Sequence, residues 1–202
     1  MPSTPQRLAA ELDLDRLLEG TPYRALDVLG QGGMGLVVGA EHRALGKHVV
    51  VKLLRRESAH DEHLADRLRV EAQALARLRH ENLVEVHDLG RTPAGRPYYV
   101  MERLHGRTLS EEIAARGALP PLEAVDIARQ ALSGLMAAHH AGLVHRDIKP
   151  ANIFLCEPSR PGGRRAVKVL DFGVAKVLPE AGADARRRGE PGGLRAGAAA
   201  GA

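Results

Sequence analysis

The stretch LGQGGMGLVV, from Leu29 to Val38, carries the spacing G-x-G-x-x-G at Gly30, Gly32 and Gly35. Phosphate-binding loops of unrelated folds share this spacing, because a backbone without Cβ atoms lets its amides approach phosphates closely. Taken alone, the spacing is a weak signal. The residues around it therefore decide which fold it indicates.

The residues that follow Gly35 exclude two of the alternatives. A dinucleotide-binding loop opens a helix at its last glycine, and an acidic residue follows about 20 positions later. Here a strand pattern, LVVGAE, follows the glycine, and Lys52 stands where the acid would be. The Walker loop needs Gly-Lys-Ser/Thr, whereas this chain reads Gly35-Leu36-Val37. A phosphate flap between two strands remains.

Lys52 and Glu71 provide a second test of this interpretation. Lys52 lies inside the apolar strand pattern VVVKLL, and Glu71 falls on the apolar stripe of the next helical pattern. A charge in either position is costly unless it is paired. We therefore predict that the two side chains pair, either as a purely structural ion pair or as part of a phosphate site.

The first half of the chain is predicted to be rich in strands. Three strand patterns run from Tyr23 to about Lys52, and two more follow in NLVEVHDLG and RPYYVMERL. Between these two groups, leucines recur with helical spacing over about 60–79. This order predicts a β-rich lobe with one main helix.

The second half is predicted to be mainly helical. Thr108 and Glu111 have the spacing of a capping box, which would open a short helix that ends at Gly117. A longer helix is expected at about 122–140, followed by short strands and loops. The fold class is therefore α+β with two lobes, joined near 102–106.

Composition and charge narrow the class of partners. The net charge is only +4, and basic and acidic residues are interleaved, so we expect no nucleic-acid partner. Cys156 is the single cysteine, which indicates a reducing compartment. The chain has no signal-peptide pattern and no apolar run near the roughly 18 residues of a membrane span. We therefore expect a cytoplasmic protein without a membrane segment.

Two later motifs carry a resemblance to a known family. HRDIKPAN runs from His145 to Asn152, and DFG follows at Asp171–Gly173. With these motifs the sequence resembles the protein kinases of the serine/threonine class, especially the bacterial ones with a GQGGMG-type loop. The resemblance covers about 22–178, and the glycine loop, strand lysine, helix glutamate, catalytic loop and DFG stand in the family's order.

The resemblance implies a two-lobed kinase fold. We expect an N-terminal leader at 1–22, a complete small lobe at 23–102 and part of a large lobe at 103–178. Residues 179–202 are rich in Gly, Ala and Arg and have one large apolar residue, so we expect them to be disordered.

The resemblance also implies that ATP binds between the lobes. The glycine loop would cover the phosphates, and Lys52, oriented by Glu71, would hold the α- and β-phosphates. Met101 would limit the back of the pocket, while the Glu102 carbonyl and the Leu104 amide would bind the adenine. The implied nucleotide-binding residues are Leu29, Gly30, Gly32, Gly33, Gly35, Val37, Val50, Lys52, Met101, Glu102, Leu104 and Phe154.

The implied catalytic residues, besides Lys52 and Glu71, lie in HRDIKPAN and DFG. Asp147 resembles the base that accepts the proton of a substrate hydroxyl, and Lys149 would neutralise charge on the transferring phosphoryl group. Asn152 and Asp171 offer oxygen ligands to Mg²⁺. Lys149 is typical of kinases that act on protein Ser or Thr. The implied partners are therefore ATP, Mg²⁺ and a protein substrate.

The chain stops 31 residues after Asp171 (202 − 171), and no Ala-Pro-Glu anchor or later large-lobe helix is recognisable. We therefore expect a large lobe truncated after DFG, with an exposed apolar helix face, marginal stability and association through that face. The composition from Arg186 onward also suggests a reading frame translated out of register. Two functions follow: a serine/threonine kinase, or a catalytically inactive ATP-binding or interaction fragment.

Overall fold

The computed structural model of the chain describes residues 12–32, 35–54, 73–158, 160 and 162–172. Five antiparallel strands form the first sheet, in the order β1-β2-β3-β5-β4. The strands are β1 (Tyr23–Gly32), β2 (Gly35–His42), β3 (Lys47–Leu54), β4 (Val86–Arg91) and β5 (Pro97–Glu102). The five strands expected from the sequence are confirmed.

The sheet has two different faces, because successive side chains of a strand point to opposite sides. We call the first side the core face: it carries Val38, Val51, Leu53, Tyr98 and Val100, which belong to one buried cluster. The register pairs Val38 with Val51 and Val51 with Val100, so these side chains lie side by side. This face is the aliphatic core of the first lobe.

The end of the predicted leader packs against the core face. A short helix, α1 (Leu14–Leu17), precedes β1, and Leu18 is fully buried in the core-face cluster. Leu12, Leu14 and Leu17 pack around it. The sequence did not predict that residues 12–18 pack against the sheet, because these residues contain leucines but no strand pattern and no motif.

We call the opposite side of the first sheet the cleft face. It carries Val50, Lys52, Tyr99 and Met101, and the register places Val50 opposite Met101 and Lys52 opposite Tyr99. All four residues are buried. A buried lysine among these apolar and aromatic side chains is the feature that sets this face apart from the core face.

The second lobe contains two helices and a small sheet. The helices are α2 (Leu109–Arg116) and α3 (Pro121–His140), and a 3₁₀ turn spans Pro150–Asn152. The strands β6 (Gly106–Thr108), β7 (Ile153–Cys156) and β8 (Val167–Val169) form an antiparallel sheet in that order. No helix among the described residues is both long and apolar enough to cross a membrane.

The helix boundaries follow the sequence signals. The Thr108 side chain accepts the Glu111 amide and the Glu111 carboxylate accepts the Thr108 amide, so the predicted capping box is confirmed. Gly117 ends α2 with a φ of 75°, which favours glycine. The longer helix begins at Pro121, where a proline fits the first helical turn without losing a hydrogen bond.

One helix is described only in part. Residues 73–77 of the helix expected over about 60–79 are helical, and its earlier residues lie outside the described part of the chain. The helix ends at residue 77 rather than 79, because the Leu78 amide bonds to the Leu75 carbonyl, three residues back, at 3.0 Å. This tighter turn directs the chain towards β4.

Helix α3 buries one side and exposes the other. Ile127, Ala131 and Ala138 share a buried cluster with Leu155, on β7, and Val167, on β8. On the other side Leu122, Val125, Leu132 and Met136 are 86%, 65%, 63% and 59% exposed. The expectation that this helix exposes part of an apolar face is thus confirmed for the described residues.

A buried carboxylate, which the sequence patterns did not indicate, fixes α2 to the rest of the second lobe. Glu112 is 3% exposed, and its carboxylate lies 2.8 Å from both Arg116 and Arg165 and 3.4 Å from Arg107. Hydrogen bonds from Arg116 and Arg165 lower the pKa of Glu112 to about 2. The carboxylate therefore stays ionised, as an anion surrounded by arginines requires.

The segment between the helical residues 73–77 and β4 connects the two lobes. The Val84 amide donates to the Val169 carbonyl at 3.1 Å, and the Val169 amide donates to the Asn82 carbonyl at 2.9 Å. Lys168, also on β8, donates to Glu102 at the end of β5 at 2.6 Å. These contacts hold β8, and the residues that follow it, under the cleft face of the first sheet.

Candidate active site

Lys52 and Asp171 meet where the two lobes face each other. The Lys52 Nζ atom lies 2.7 Å from Asp171 Oδ1. Lys52 comes from the centre of β3, and Asp171 comes from the segment after β8, so their contact closes the cleft between the lobes. Glu71 lies outside the described residues, and its predicted pairing with Lys52 stays a prediction.

The backbone around Asp171 is held in an uncommon conformation. Asp171 has a φ of 43°, in the left-handed region that non-glycine residues seldom adopt. The preceding residue is fixed from both sides: the Leu170 amide donates to the Asn152 carbonyl at 2.8 Å, and its carbonyl lies 2.7 Å from His145 Nε2. Such a conformation persists only where the surroundings hold it in place.

His145 links the two motif segments as a neutral imidazole. Its Nε2 donates to the Leu170 carbonyl, and its Nδ1 accepts the Asp147 amide at 3.3 Å, which is the pattern of a neutral ring. Burial lowers the pKa of His145, in agreement with that state. The ring also lies 4.8 Å from Phe172, between centroids, and Phe172 shares a cluster with Leu75. His145 and Phe172 therefore join the HRDIKPAN and DFG segments by packing.

Asp147, Lys149 and Asn152 form a compact polar group beneath the cleft. The Asn152 side-chain amide donates to the Asp147 carbonyl at 2.8 Å and contacts Asp147 Oδ2 at 3.3 Å. The Lys149 ammonium lies 2.8 Å from the same carboxylate oxygen. The 3₁₀ turn places Asn152 beside Asp147 and Lys149, because the backbone amide of Asn152 donates to the Lys149 carbonyl at 2.9 Å. A carboxylate, an ammonium and an amide therefore lie in contact with one another.

The glycines of the first hairpin serve different purposes. Gly35 has a φ of 148°, and a Cβ there would overlap the carbonyl oxygen of Leu53, so the fold itself requires glycine at this position. A Cβ at Gly30 would meet nothing within 4 Å. Gly30 therefore leaves free space over the cleft. Gly32 ends β1, and Gly33 lies outside the described residues.

An apolar cluster lies on the cleft face beside the glycine hairpin. Val50, Met101 and Tyr99 are its buried members on the cleft face, and Val37, Leu104 and Leu170 pack against them. The sequence-predicted residues Val37, Val50, Met101 and Leu104 are thus brought together.

Three other predicted pocket residues lie at the edges. Leu29, on β1, is 41% exposed. Phe154, on β7, is half-buried and pairs with Thr108 and Lys168 outside that apolar cluster. The Glu102 amide donates to the Glu85 carbonyl at 3.0 Å, and the Glu102 side chain binds Lys168. The structure therefore brings Val37, Val50, Met101 and Leu104 into one cluster and leaves Leu29 and Phe154 outside it.

Tyr99 is a residue of the cleft that sequence reasoning missed. Its hydroxyl donates to Asp171 Oδ1 at 2.9 Å, and its ring centroid lies 5.8 Å from the Lys52 ammonium. In the sequence it reads as an ordinary aromatic strand residue. The only signal was its position, since residues on one side of β5 must face the same cleft as Lys52.

The described residues contain no group of three or more His, Cys, Asp or Glu side chains that could hold a metal ion. Asn152 and Asp171, the predicted metal ligands, offer oxygen donors, and the Leu170 amide next to Asp171 donates to the Asn152 carbonyl. Two protein ligands suit Mg²⁺ that arrives with phosphate oxygens and water, rather than a cation held by protein alone. The donor set therefore fits a metal–nucleotide complex.

Comparison with known protein families matches residues 23–191 to the protein kinase domain. Among curated proteins, the probable serine/threonine-protein kinase PknB of Corynebacterium glutamicum is 41% identical over 159 residues, which cover 77% of this chain and 24% of that protein. Serine/threonine-protein kinase PrkC of Bacillus subtilis is 42% identical over 156 residues, covering 77% of this chain and 23% of the relative. The chain thus spans about a quarter of the length of these relatives.

A solved structure, the Mycobacterium tuberculosis PknI kinase domain, is similar to this chain with a TM-score of 0.67 and 30% sequence identity. The match covers 81% of this chain and 64% of that chain. Its double mutant C20A_R136A also matches with a TM-score of 0.67, over 76% of this chain and 59% of that chain.

Proposed function

Since the chain belongs to the protein kinase family, with bacterial serine/threonine kinases as its relatives, we propose that it transfers the γ-phosphoryl group of Mg·ATP to a Ser or Thr hydroxyl of a protein. The observation that carries this proposal is the contact of Lys52 with Asp171 across the cleft, at 2.7 Å. It joins a cation that suits phosphates to a carboxylate that suits a metal ion.

The cleft face provides the nucleotide side of the reaction. The open space at Gly30 allows phosphates to approach the hairpin backbone, whose amides donate to phosphate oxygens. Lys52 binds the α- and β-phosphates, and we assign its orientation to Glu71. Val37, Val50 and Met101 surround the base, which the Glu102 carbonyl and the Leu104 amide orient. Leu29, Gly32, Gly33, Gly35 and Phe154 complete the proposed nucleotide site.

Asn152 and Asp171 are the proposed metal ligands. Both offer oxygen atoms, and the hydrogen bond from the Leu170 amide to the Asn152 carbonyl keeps their backbones adjacent. Bound Mg²⁺ supplies charge neutralisation to the phosphates. The protein's contribution is to keep the side chains of Asn152 and Asp171 close together, because the hydrogen bond between Leu170 and Asn152 joins the two backbone segments.

Asp147 and Lys149 provide the acceptor side. The Asp147 carboxylate, which Asn152 and Lys149 hold in position, orients the substrate hydroxyl and takes up its proton. The Lys149 ammonium, 2.8 Å from Asp147 Oδ2, is about half exposed and can reach an incoming phosphoryl group. Positioning and charge neutralisation, rather than covalent chemistry, thus carry the reaction.

A direct transfer assay tests the proposal. The chain is incubated with radiolabelled ATP, Mg²⁺ and a generic basic protein, beside the Asp147→Asn variant, which preserves shape and removes the base. We expect label in the basic protein with the wild-type chain, and a loss of at least about 100-fold in the variant. Equal labelling by both proteins would overturn the assignment of Asp147.

A second candidate function is ATP binding without transfer, in an interaction module. The exposed apolar side chains of α3, Leu122, Val125, Leu132 and Met136, favour it, because such a surface promotes association with another polypeptide. The same assay separates the two candidates. Mg²⁺-dependent ATP binding, measured by calorimetry without any transfer that depends on Asp147, would favour the module.

A further inference from the structure

The hydroxyl of Tyr99 occupies a defined place in the cleft. Tyr99 lies opposite Lys52 in the pairing of β5 with β3, so the two side chains share the cleft face. The tyrosine is 5% exposed, and its hydroxyl donates to Asp171 Oδ1 at 2.9 Å. A buried hydroxyl aimed at a carboxylate forms one of the stronger hydrogen bonds in proteins, because the acceptor is charged.

Two donors converge on the same oxygen of Asp171. Lys52 Nζ lies 2.7 Å from Oδ1, and the Tyr99 hydroxyl lies 2.9 Å from it. Among the described residues, neither donor is directed at the second oxygen, Oδ2. The arrangement therefore orients the carboxylate by one oxygen and leaves the other for a ligand that prefers negatively charged oxygen.

The two donors differ in what they can do when a nucleotide binds. The proposed function needs the Lys52 ammonium at the phosphates, which compete with Asp171 for it. The phenol of Tyr99 is neutral and has no phosphate to bind, so it can stay on Asp171. A neutral donor also does not repel an incoming cation, whereas an ammonium at the same oxygen does.

The backbone conformation of Asp171 gives a reason for a hydrogen bond that restrains its carboxylate. Its φ of 43° belongs to a region that aspartate adopts with some strain, and its side chain is 30% exposed. The contacts of Leu170 with His145 and Asn152 hold the backbone before Asp171, but they do not hold its carboxylate. Tyr99 holds the carboxylate itself.

We propose that Tyr99 is a positioning residue, whose hydroxyl keeps the Asp171 carboxylate turned towards the metal ion of the bound nucleotide after Lys52 has moved to the phosphates. This inference rests on the proposed function, because it assigns a role within the same cleft. It concerns metal binding, and Tyr99 itself touches neither substrate nor nucleotide.

The test compares Tyr99→Phe with Tyr98→Phe. Each variant removes one buried hydroxyl from β5, but Tyr98 points to the core face, away from Asp171. ATP affinity is measured by calorimetry with Mg²⁺ and with EDTA, and the ratio of the two dissociation constants gives the enhancement by Mg²⁺. Circular dichroism melting checks that both variants fold.

We expect the enhancement by Mg²⁺ to fall roughly tenfold in Tyr99→Phe, the size expected for losing a hydrogen bond to a charged group. The affinity in EDTA should change less than about twofold, and Tyr98→Phe should keep the wild-type ratio. An unchanged ratio in Tyr99→Phe would overturn the inference. So would equal losses with and without Mg²⁺, because these would indicate a merely structural role.

A second measurement does not depend on nucleotide binding. Hydrogen exchange of the peptide that contains residues 167–172 is compared between the wild type and Tyr99→Phe in the absence of ATP. Faster exchange in the variant supports the restraint on Asp171, and identical exchange contradicts it. If the wild-type chain binds no ATP, the proposed function fails, while the exchange rates still decide whether Tyr99 holds Asp171.

Discussion

The core face and the cleft face of the first sheet are built from the same strands, but their side chains make different kinds of contact. Val51, Leu53 and Val100 are fully buried among aliphatic neighbours on the core face. One residue along the same strands, Lys52 and Tyr99 contact Asp171 on the cleft face. The difference teaches that the core and the proposed ligand site are encoded one residue apart, so that substitutions of neighbouring residues should separate stability from ligand binding.

The largest effect is expected from Leu53→Ala on the core face. Leu53 is fully buried, and removing its side chain leaves a cavity that the surrounding residues fill only in part. The free energy of unfolding should fall by roughly 2–5 kcal/mol. Urea denaturation followed by circular dichroism measures the change. A loss below about 1 kcal/mol would show that the core face is loosely packed.

The next effect is expected from Lys52→Met on the cleft face. Methionine keeps most of the apolar stem and removes the ammonium, so a charge-assisted bond to the phosphates is lost. Affinity for Mg·ATP should fall by about 10- to 100-fold, which corresponds to roughly 1.5–3 kcal/mol. The free energy of unfolding should change much less than in Leu53→Ala. Calorimetry and urea denaturation of the same sample test both statements, and retained affinity would place the phosphates elsewhere.

Alanine substitutions of the two hairpin glycines, Gly35 and Gly30, form a matched pair with effects of intermediate size. Gly35→Ala should destabilise the fold by about 1–3 kcal/mol, because Gly35 has a positive φ and no space for a Cβ. Gly30→Ala should leave stability within about 1 kcal/mol and weaken ATP binding several-fold, because its Cβ fills the free space over the cleft. Thermal melting and ATP titration distinguish the two. Equal effects of both substitutions on stability would contradict this division.

The smallest effect is expected from Tyr23→Phe, at the edge of the core face. The Tyr23 hydroxyl donates to Asp88 at 2.8 Å, so its loss should lower the free energy of unfolding by about 1 kcal/mol at neutral pH.

The same variant should also change the dependence of stability on pH. Burial and the bond to Asp88 raise the pKa of Tyr23 above its usual range. The phenol therefore keeps its proton in the folded chain when the unfolded chain loses it, and stability falls as the pH rises above about 10. Tyr23→Phe should lose less stability than the wild type between neutral and strongly alkaline pH. Urea denaturation of both proteins at the two pH values measures these losses. An equal loss of stability in the wild type and in Tyr23→Phe would contradict this reasoning.

Much of the fold could be predicted because its signals are local. Apolar strand patterns separated by turn residues marked all five strands of the first sheet, and Thr108, Glu111 and Gly117 marked the ends of α2. These signals concern hydrogen bonds and side-chain directions within a few residues. The helical end at residue 77 was missed by two residues, because an i→i−3 bond at Leu78 is not visible in a leucine pattern.

The site was predicted as a set of residues, and the one contact predicted within it, between Lys52 and Glu71, stays a prediction. Asp147, Lys149 and Asn152 lie together, as the motif that contains them indicated. The partner of Lys52 on the described cleft face is Asp171, whereas the sequence pointed to Glu71, which lies outside the described residues. The contacts of Tyr99 with Asp171 and of Arg165 with Glu112 were not foreseen, because these partners lie 72 and 53 positions apart in the chain.

The sequence by itself determined the family motifs, their order, and which strand positions share a face, because each depends on residue identity and short-range spacing. Only the tertiary structure decided which charged groups meet across the cleft, that the leader's Leu18 completes the core face, and that Tyr99 reaches Asp171. The physical reason is that hydrogen bonds and ion pairs require distances near 3 Å. Residues 72 positions apart, such as Tyr99 and Asp171, reach such distances only after the lobes have folded and met.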